Sequence, residues 1–212
     1  MENQYKKTVF TRPKFPLGDI LSWIAIIFLV YVGIVFFAFS KYYEGVAVKG
    51  RSMIPTYNKN GGEDTVYVHK SDYTYGDIVL IDTEDKTIIK RIIAMSGDKV
   101  EVKLFDNNYT VFVNGEALSE TYINGINGNR ITYQNLIHYK SIHPDEFDGN
   151  AFVVGDDMIF VLGDNRAESK DSSYYGAFSI KKIKGKVFYS VDSHSNTTLS
   201  LFLQLFLPIF SK

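Results

Sequence analysis

The sequence predicts a mainly β protein, in which a single N-terminal transmembrane helix leads into an antiparallel β-sheet domain with a smaller inserted subdomain. Three observations predict it. Twenty residues near the start carry no charge, short alternating or β-branched runs of strand length follow, and a polar stretch rich in Asn and Gly interrupts those runs.

The uncharged run is residues 20–39, ILSWIAIIFLVYVGIVFFAF. At about 1.5 Å per residue, a helix of this length spans a hydrocarbon core of about 30 Å. Lys6, Lys7, Arg12 and Lys14 outnumber Glu2 and Asp19 ahead of it, while Lys41 and Glu44 follow. The basic excess assigns residues 1–19 to the cytoplasm and residues 40–212 to the other side. Ala38 and Ser40 also make a small-x-small pattern like that of a cleaved secretory signal. The apolar core exceeds the about 7–15 residues usual in such signals, which favours an uncleaved anchor.

Beyond Lys41, residues 44–48, 65–69, 77–81, 87–94, 100–105 and 109–113 read as strands, each short and rich in β-branched or aromatic side chains. Asn114 and Gly115 suit a two-residue type I′ hairpin turn, which needs positive φ at both positions. Residues 152–154, 158–162 and 186–191 complete the strand set, and no long amphipathic helical period competes with it. Residues 106–150 hold no strong apolar run after the hairpin and read as the inserted subdomain, remote from any catalysis. The last apolar stretch, residues 199–210, is broken by Gln204 and Pro208 and is too short to span a bilayer as a helix. An interfacial segment and a buried strand fit it equally.

Composition narrows the classes of function. Lys plus Arg number 23 against 24 Asp plus Glu, so the chain lacks the positive excess that a nucleic-acid backbone requires. The absence of cysteine excludes disulfides, thiolate metal sites and a cysteine nucleophile. His69, His138, His143 and His194 are scattered, with no His-Glu-x-x-His, so a metal site is unsupported. Ser179-Ile180-Lys181-Lys182 matches Ser-x-x-Lys, but Ser-Asp-Asn and Lys-Thr-Gly are missing, and the match reads as chance.

Three segments carry chemistry. Gly50-Arg51-Ser52-Met53-Ile54-Pro55-Thr56 follows the first strand directly. It presents Ser52 at a strand end, with Gly50 permitting close backbone approach and Pro55 stiffening the exit. Alone, it serves equally as an ordinary turn. Lys90 sits among β-branched residues in Thr87-Ile88-Ile89-Lys90-Arg91-Ile92-Ile93-Ala94. Burial there disfavours the ammonium and lowers its pKa, and a neutral amine can take the Ser52 proton as a histidine does in a triad. Without Ser52, a lysine that snorkels to solvent is the plainer reading. Arg91 fits a structural ion pair. The third segment, residues 163–176, follows an apolar strand. Within it Ser169 is placed to orient the Lys90 amine, and Asp171 to hold the loop through Arg91 or Arg166.

Together these segments resemble the bacterial Ser/Lys branch of the type I signal peptidases, or leader peptidases. The resemblance covers the anchor, residues 50–56, Gly76-Asp77, Lys90-Arg91 with Gly97-Asp98, and residues 163–173. It implies a membrane-anchored serine endopeptidase that removes signal peptides from exported preproteins through an acyl-enzyme. No cofactor or metal is implied, and cutting is expected after small residues at P1 and P3. Ser52 would be the nucleophile, Lys90 the base and Ser169 the residue orienting the amine, with Asp171 and Arg91 in support. The Ser52 backbone N–H would be one oxyanion donor. Val46, Val48, Leu80 and Ile89, with Met53, would line the substrate subsites, although core packing serves each as well. The implied partners are preproteins and the lipid bilayer of a bacterial cell membrane, and contact with the secretion machinery is left open. Lysine at position 90, where the endoplasmic reticulum branch has histidine, points to the bacterial branch.

Two positions depart from the pattern. Gly50 stands where some relatives carry an oxyanion hydroxyl, which leaves the second donor open. Ser173 replaces the usual Arg, so the pair with Asp171 is lost and a less rigid loop is expected. Rival readings are a non-catalytic member of the same fold that binds exported chains, and a Ser/Lys regulator that cuts its own linker.

Overall fold

The computed structural model describes residues 17–123 and 128–193. The N-terminal residues 1–16 and the apolar stretch 199–210 lie outside them. The chain divides into two units, residues 1–42 and 43–212.

The first unit contains helix α1 (Leu17–Tyr42). It is three residues longer at each end than the uncharged run 20–39, because helical hydrogen bonding continues past the last apolar residue and Asp19 complements the first turn. Residues 17–38 are long and apolar enough to cross a membrane. Leu21, Trp23, Ile27, Leu29 and Phe36 are all exposed, so no single face of the helix is the apolar one.

Among the described residues, the second unit holds twelve strands in two antiparallel sheets. Numbered in chain order, the larger sheet holds β1 (Glu44–Ala47), β2 (Thr65–His69), β3 (Ile78–Asp82), β4 (Thr87–Met95), β10 (Met158–Leu162), β11 (Phe178–Ser179) and β12 (Ile183–Val191). Their order across the sheet is β1-β2-β12-β3-β4-β10-β11. The smaller sheet holds β5 (Lys99–Phe105), β6 (Asn108–Val113), β7 (Glu116–Ala117), β8 (Phe147–Asp148) and β9 (Ala151–Val153), ordered β7-β6-β5-β9-β8.

Every run read as a strand is one, with ends shifted by a residue or so; β12 alone begins three residues early. Asn114 and Gly115 adopt φ of 53° and 85° and close the β6–β7 hairpin, as the turn chemistry requires. Asp106 and Asn107, at φ 48° and 62°, form a second such turn between β5 and β6 that the sequence did not reveal. The smaller sheet takes β5 and β9 from either side of residues 106–150, through the pair Val100↔Phe152.

The middle of the chain, read from sequence only as a polar insertion, holds a helix. Residues Asn129–Ile142 form the 14-residue helix α2. Its buried positions are Asn129, Thr132 and Leu136, with Tyr133 and Tyr139 packed beside them. A face so mixed in polarity leaves little apolar periodicity to read.

Alternation along β3 puts Leu80 on one side of the larger sheet and Val79 and Ile81 on the other. Leu80 joins Val48, Met53, Tyr57, Val66, Val68 and Ile89 in one buried cluster. Val79 and Ile81 join Ile92, Ile159 and Val161 in another. A third cluster, with Ile93, Val100, Leu136, Phe152 and Phe160, ties the smaller sheet and α2 to the larger sheet. Among the described residues, two open edges lie near Ser52: β1 pairs only with β2, and β10 pairs with β4 only over residues 91–95. The first half of β4 therefore has β3 on one side and, among the described residues, no strand on the other.

Candidate active site

The chain leaves β1 through Gly50, whose φ of 89° suits a residue without a side chain, and turns at Ser52. Met53 and Tyr57 anchor this turn in the core. Asn58, buried at φ 60°, donates from Nδ2 to the carbonyls of both Val48 and Gly50 at 2.8 Å each. Its Oδ1 accepts from the Asp64 amide at 2.8 Å, and its own amide donates to Asp64 Oδ2 at 2.7 Å. Asn58 thus fixes the segment that delivers the serine. Asn58→Asp keeps the shape and the tolerance of positive φ, but removes both donors and sets a carboxylate against two carbonyls and Asp64. A loss of about 3 kcal/mol is expected, read as a fall of about 6–12 °C in the thermal midpoint. An unchanged midpoint would show that the clamp is dispensable.

Lys90 lies on β4, 3% exposed. Its Nζ is 2.8 Å from Ser52 Oγ and donates to the Ile89 carbonyl at 2.8 Å. Burial lowers its pKa from 10.5 to about 8; the charges of Asp171 and Asp164 oppose that shift and Lys86 adds to it. Desolvation wins over the nearby carboxylates.

The loop after β10 closes around this pair. Asp164, buried, accepts from Arg91 Nε at 2.8 Å and Arg91 Nη2 at 2.6 Å, and from the Thr56 hydroxyl. Arg91 also donates to the Gly76 carbonyl at 2.8 Å. One carboxylate therefore stitches together the serine turn, β4 and the loop. Asp164, and not Asp171 as the sequence predicts, is thus the carboxylate that holds Arg91. Asp171 meets neither Arg91 nor Arg166 by hydrogen bond. It accepts from the Gly163 amide at 3.0 Å, the Ser173 amide at 3.1 Å and the Ser173 hydroxyl at 2.8 Å, and caps the short helix α3 (Ser172–Tyr175). Ser173, in place of Arg, thus satisfies Asp171 itself, and the Asp171 carboxylate keeps three donors. Both carboxylates stand in the loop, and only distances could choose between them.

The hydrogen bond expected from Ser169 to Lys90 is not formed. Ser169 Oγ is buried and has no hydrogen-bond partner among the described residues. Asn165, passed over in the sequence, touches both peptides around the serine. Its amide donates to the Ser52 carbonyl at 2.9 Å and its Nδ2 to the Arg51 carbonyl at 3.0 Å.

A cleft of about 850 Å³ opens beside Ser52 and Lys90. Val46, Val48, Leu80 and Ile89, all expected at substrate subsites, line it. Met53 does not; it is 1% exposed and packs in the core beneath. Its neighbour Ser52 points to the cleft, and Met53 holds the turn from below. The cleft also borders residues 46–48 at β1 and 87–90 of β4, where the two strand edges are open.

Comparison with known proteins bears on what this arrangement does. The model of a family described as "Signal peptidase, peptidase S26" matches residues 20–191. Signal peptidase I P of Bacillus subtilis subsp. natto is 30% identical over 203 residues, covering 87% of this chain and 97% of that protein. Signal peptidase I S of Bacillus subtilis strain 168 is 32% identical, covering 84% and 94%. Signal peptidase IB of Staphylococcus aureus strain COL is 33% identical, covering 81% and 88%. A crystal structure of a signal peptidase I from Enterococcus faecalis V583 overlaps 56% of this chain and 98% of its own at 24% identity, with a TM-score of 0.38. The family match runs from the apolar helix to the last described strand and takes in the serine turn, β4 and the loop after β10. The chain therefore belongs to the signal peptidase family, peptidase S26, as a serine peptidase of the bacterial type I kind.

Proposed function

We propose that this chain removes N-terminal signal peptides from exported preproteins, with Ser52 as nucleophile and Lys90 as general base. One observation carries the reading: the Lys90 amine, stripped of water, stands 2.8 Å from the Ser52 hydroxyl. As Ser52 Oγ attacks the scissile carbonyl carbon, its proton passes to the neutral Lys90 amine. The oxyanion faces the Ser52 N–H. The Lys90 ammonium then gives its proton to the departing amine, the C–N bond breaks and an acyl-enzyme remains. Water, deprotonated by Lys90, attacks the ester and frees Ser52. Ser169 Oγ, buried and without a hydrogen-bond partner among the described residues, supports a role in orienting the Lys90 amine.

The substrate is an extended segment laid against the open edges of β1 and β4. Val46, Val48, Leu80 and Ile89 make shallow apolar subsites that admit small side chains at P1 and P3. Helix α1 holds the domain at a bacterial cell membrane, with residues 1–19 on the cytoplasmic side by the basic excess ahead of the span. Anchoring raises the local concentration of precursor at the bilayer surface.

The test uses the full chain in detergent with a precursor peptide. A serine-directed acylating probe should label Ser52, and kcat/KM should rise with pH through a midpoint near 8, as Lys90 loses its proton. Absence of labelling, or a flat profile from pH 6 to 10, would remove the neutral lysine from the mechanism.

A further inference from the structure

The middle of the chain reads from sequence as remote from catalysis, yet two of its side chains grip the turn that backs Ser52. Glu120 and Arg166 form an ion pair with side chains 5% and 1% exposed. Arg166 Nη1 also donates to Asn129 Oδ1 on α2, and Asn129 Nδ2 donates to Glu120 Oε2 at 2.9 Å. From this clamp Arg166 Nε reaches the Gly163 carbonyl at 3.0 Å. Two residues on from Glu120, the Tyr122 ring covers the Arg91 guanidinium, 4.0 Å from centroid to Cζ. That guanidinium holds Asp164 by two hydrogen bonds. The turn is thus pinned at Gly163 and Arg166 by Glu120, and at Asp164 by way of Tyr122.

Between the two pins stands Asn165. Its amide holds the Ser52 carbonyl and its side chain holds the Arg51 carbonyl. The Arg51 carbonyl and the Ser52 N–H belong to one planar peptide and point in opposite directions, so holding the first aims the second. The Ser52 N–H is the oxyanion donor of the proposed mechanism, and such a donor works only when fixed before charge develops.

We propose that Glu120 and Tyr122 are positioning residues for the nucleophile's own N–H: through Arg166 and Arg91 they keep Asn165 seated on both peptides that flank Ser52. The inserted segment is then part of the catalytic apparatus without touching substrate. This inference rests on the Ser52 and Lys90 reading above.

The test separates kcat from KM for the full chain in detergent, on a fluorogenic signal-type peptide with Ala at P3 and P1. Glu120→Gln and Tyr122→Leu should each lower kcat about tenfold, a fraction of what deleting an oxyanion donor costs. KM should stay within about twofold, and the pH midpoint should not move, because Lys90 is untouched. Tyr122→Phe keeps the ring over Arg91 and loses only the hydroxyl that donates to Glu120 Oε1 at 3.3 Å; Glu120 keeps Arg166 and Asn129, so kcat should stay within about twofold of wild type. Asn165→Ala should show the same kcat defect, and adding Glu120→Gln to it should cost less than about twofold more, since both act on one contact. A wild-type kcat for Tyr122→Leu, losses for Glu120→Gln and Asn165→Ala that multiply, or a defect carried by KM would each overturn the proposal. If Glu120→Gln fails to fold, the Tyr122→Leu and Tyr122→Phe pair decides alone. Failure of the wild-type chain to cleave the peptide would instead sink the Ser52 and Lys90 reading.

Discussion

Lys90→Met should abolish precursor cleavage, by about 10⁴-fold or more, and Ser52→Ala should do the same; removing both should cost no more than removing either. The lysine variant is the more informative. Methionine preserves the length and apolar stem of a side chain that is 3% exposed, so the packing around β4 survives. What disappears is the proton acceptor 2.8 Å from Ser52 Oγ and an ammonium that burial makes costly. Activity and stability should therefore move in opposite directions. In the wild-type protein the folded pKa lies near 8 against an ordinary 10.5. Between those values the unfolded chain holds a proton that the folded chain has released, so stability rises with pH across that window. Below pH 8 the full penalty applies. Lys90→Met removes both the penalty and the slope: its thermal midpoint at pH 7 should equal or exceed wild type and should stay flat from pH 8 to 10. Residual turnover above about a thousandth of wild type would mean that another base serves Ser52, and a fall in the midpoint would mean that Lys90 is held by more than the bonds to Ser52 and Ile89.

Strand positions, the apolar helix and the β6–β7 turn were legible because each rests on local patterning. Period-two runs, an uncharged stretch of membrane length and an Asn-Gly pair need no knowledge of what lies across the fold. Ser52 and Lys90 could be singled out for a different reason: each is of a residue type that is odd in its setting, a serine in a Gly-x-Ser-x-x-Pro turn and a lysine among isoleucines. The errors share another cause. Choosing Asp164 over Asp171 as the partner of Arg91 is a question of a few ångströms within one loop. The Ser173 hydroxyl standing in for an arginine depends on where Asp171 points. Asn58 and Asn165 act through main-chain carbonyls, and a side chain that binds backbone leaves no complementary residue in the sequence to pair it with. Helix α2 was hidden by the polarity of its buried face, Asn129 and Thr132 beside Leu136. With α2 unseen, the pair of Glu120 with Arg166 could not be anticipated. Met53 was misassigned for the converse reason, since a residue adjacent to the nucleophile looks like a subsite until the turn is found to bury it.

Gly163→Ala should produce the second largest loss, from a methyl group. Gly163 opens the turn after β10 and is buried between the two halves of the site. A Cβ there would lie 2.5 Å from the Ser52 carbonyl oxygen and 2.7 Å from Ser169 Cβ, and closer still to Ser169 Oγ. The obstacle on one side is backbone, so no rotamer change relieves it. Either the Ser52 peptide or the loop must withdraw, and the Asn165 contacts to Ser52 and Arg51 stretch with it. Overpacking of this kind costs about 1–3 kcal/mol, which corresponds to a fall of about 2–12 °C in the thermal midpoint. The effect on catalysis should be larger than stability alone explains, because displacing a reacting group by about 1 Å can cost about a hundredfold in rate. Gly155→Ala is the matched control: its added Cβ meets only Met158 Cγ, at 3.7 Å, an ordinary contact. The expected pattern is a kcat reduced about a hundredfold for Gly163→Ala at temperatures well below its midpoint, with Gly155→Ala close to wild type. Near-normal kcat in folded Gly163→Ala would mean that the turn can retreat from Ser52 without disturbing it. The close approach of the loop to the serine peptide would then be packing alone, with no part in holding the nucleophile.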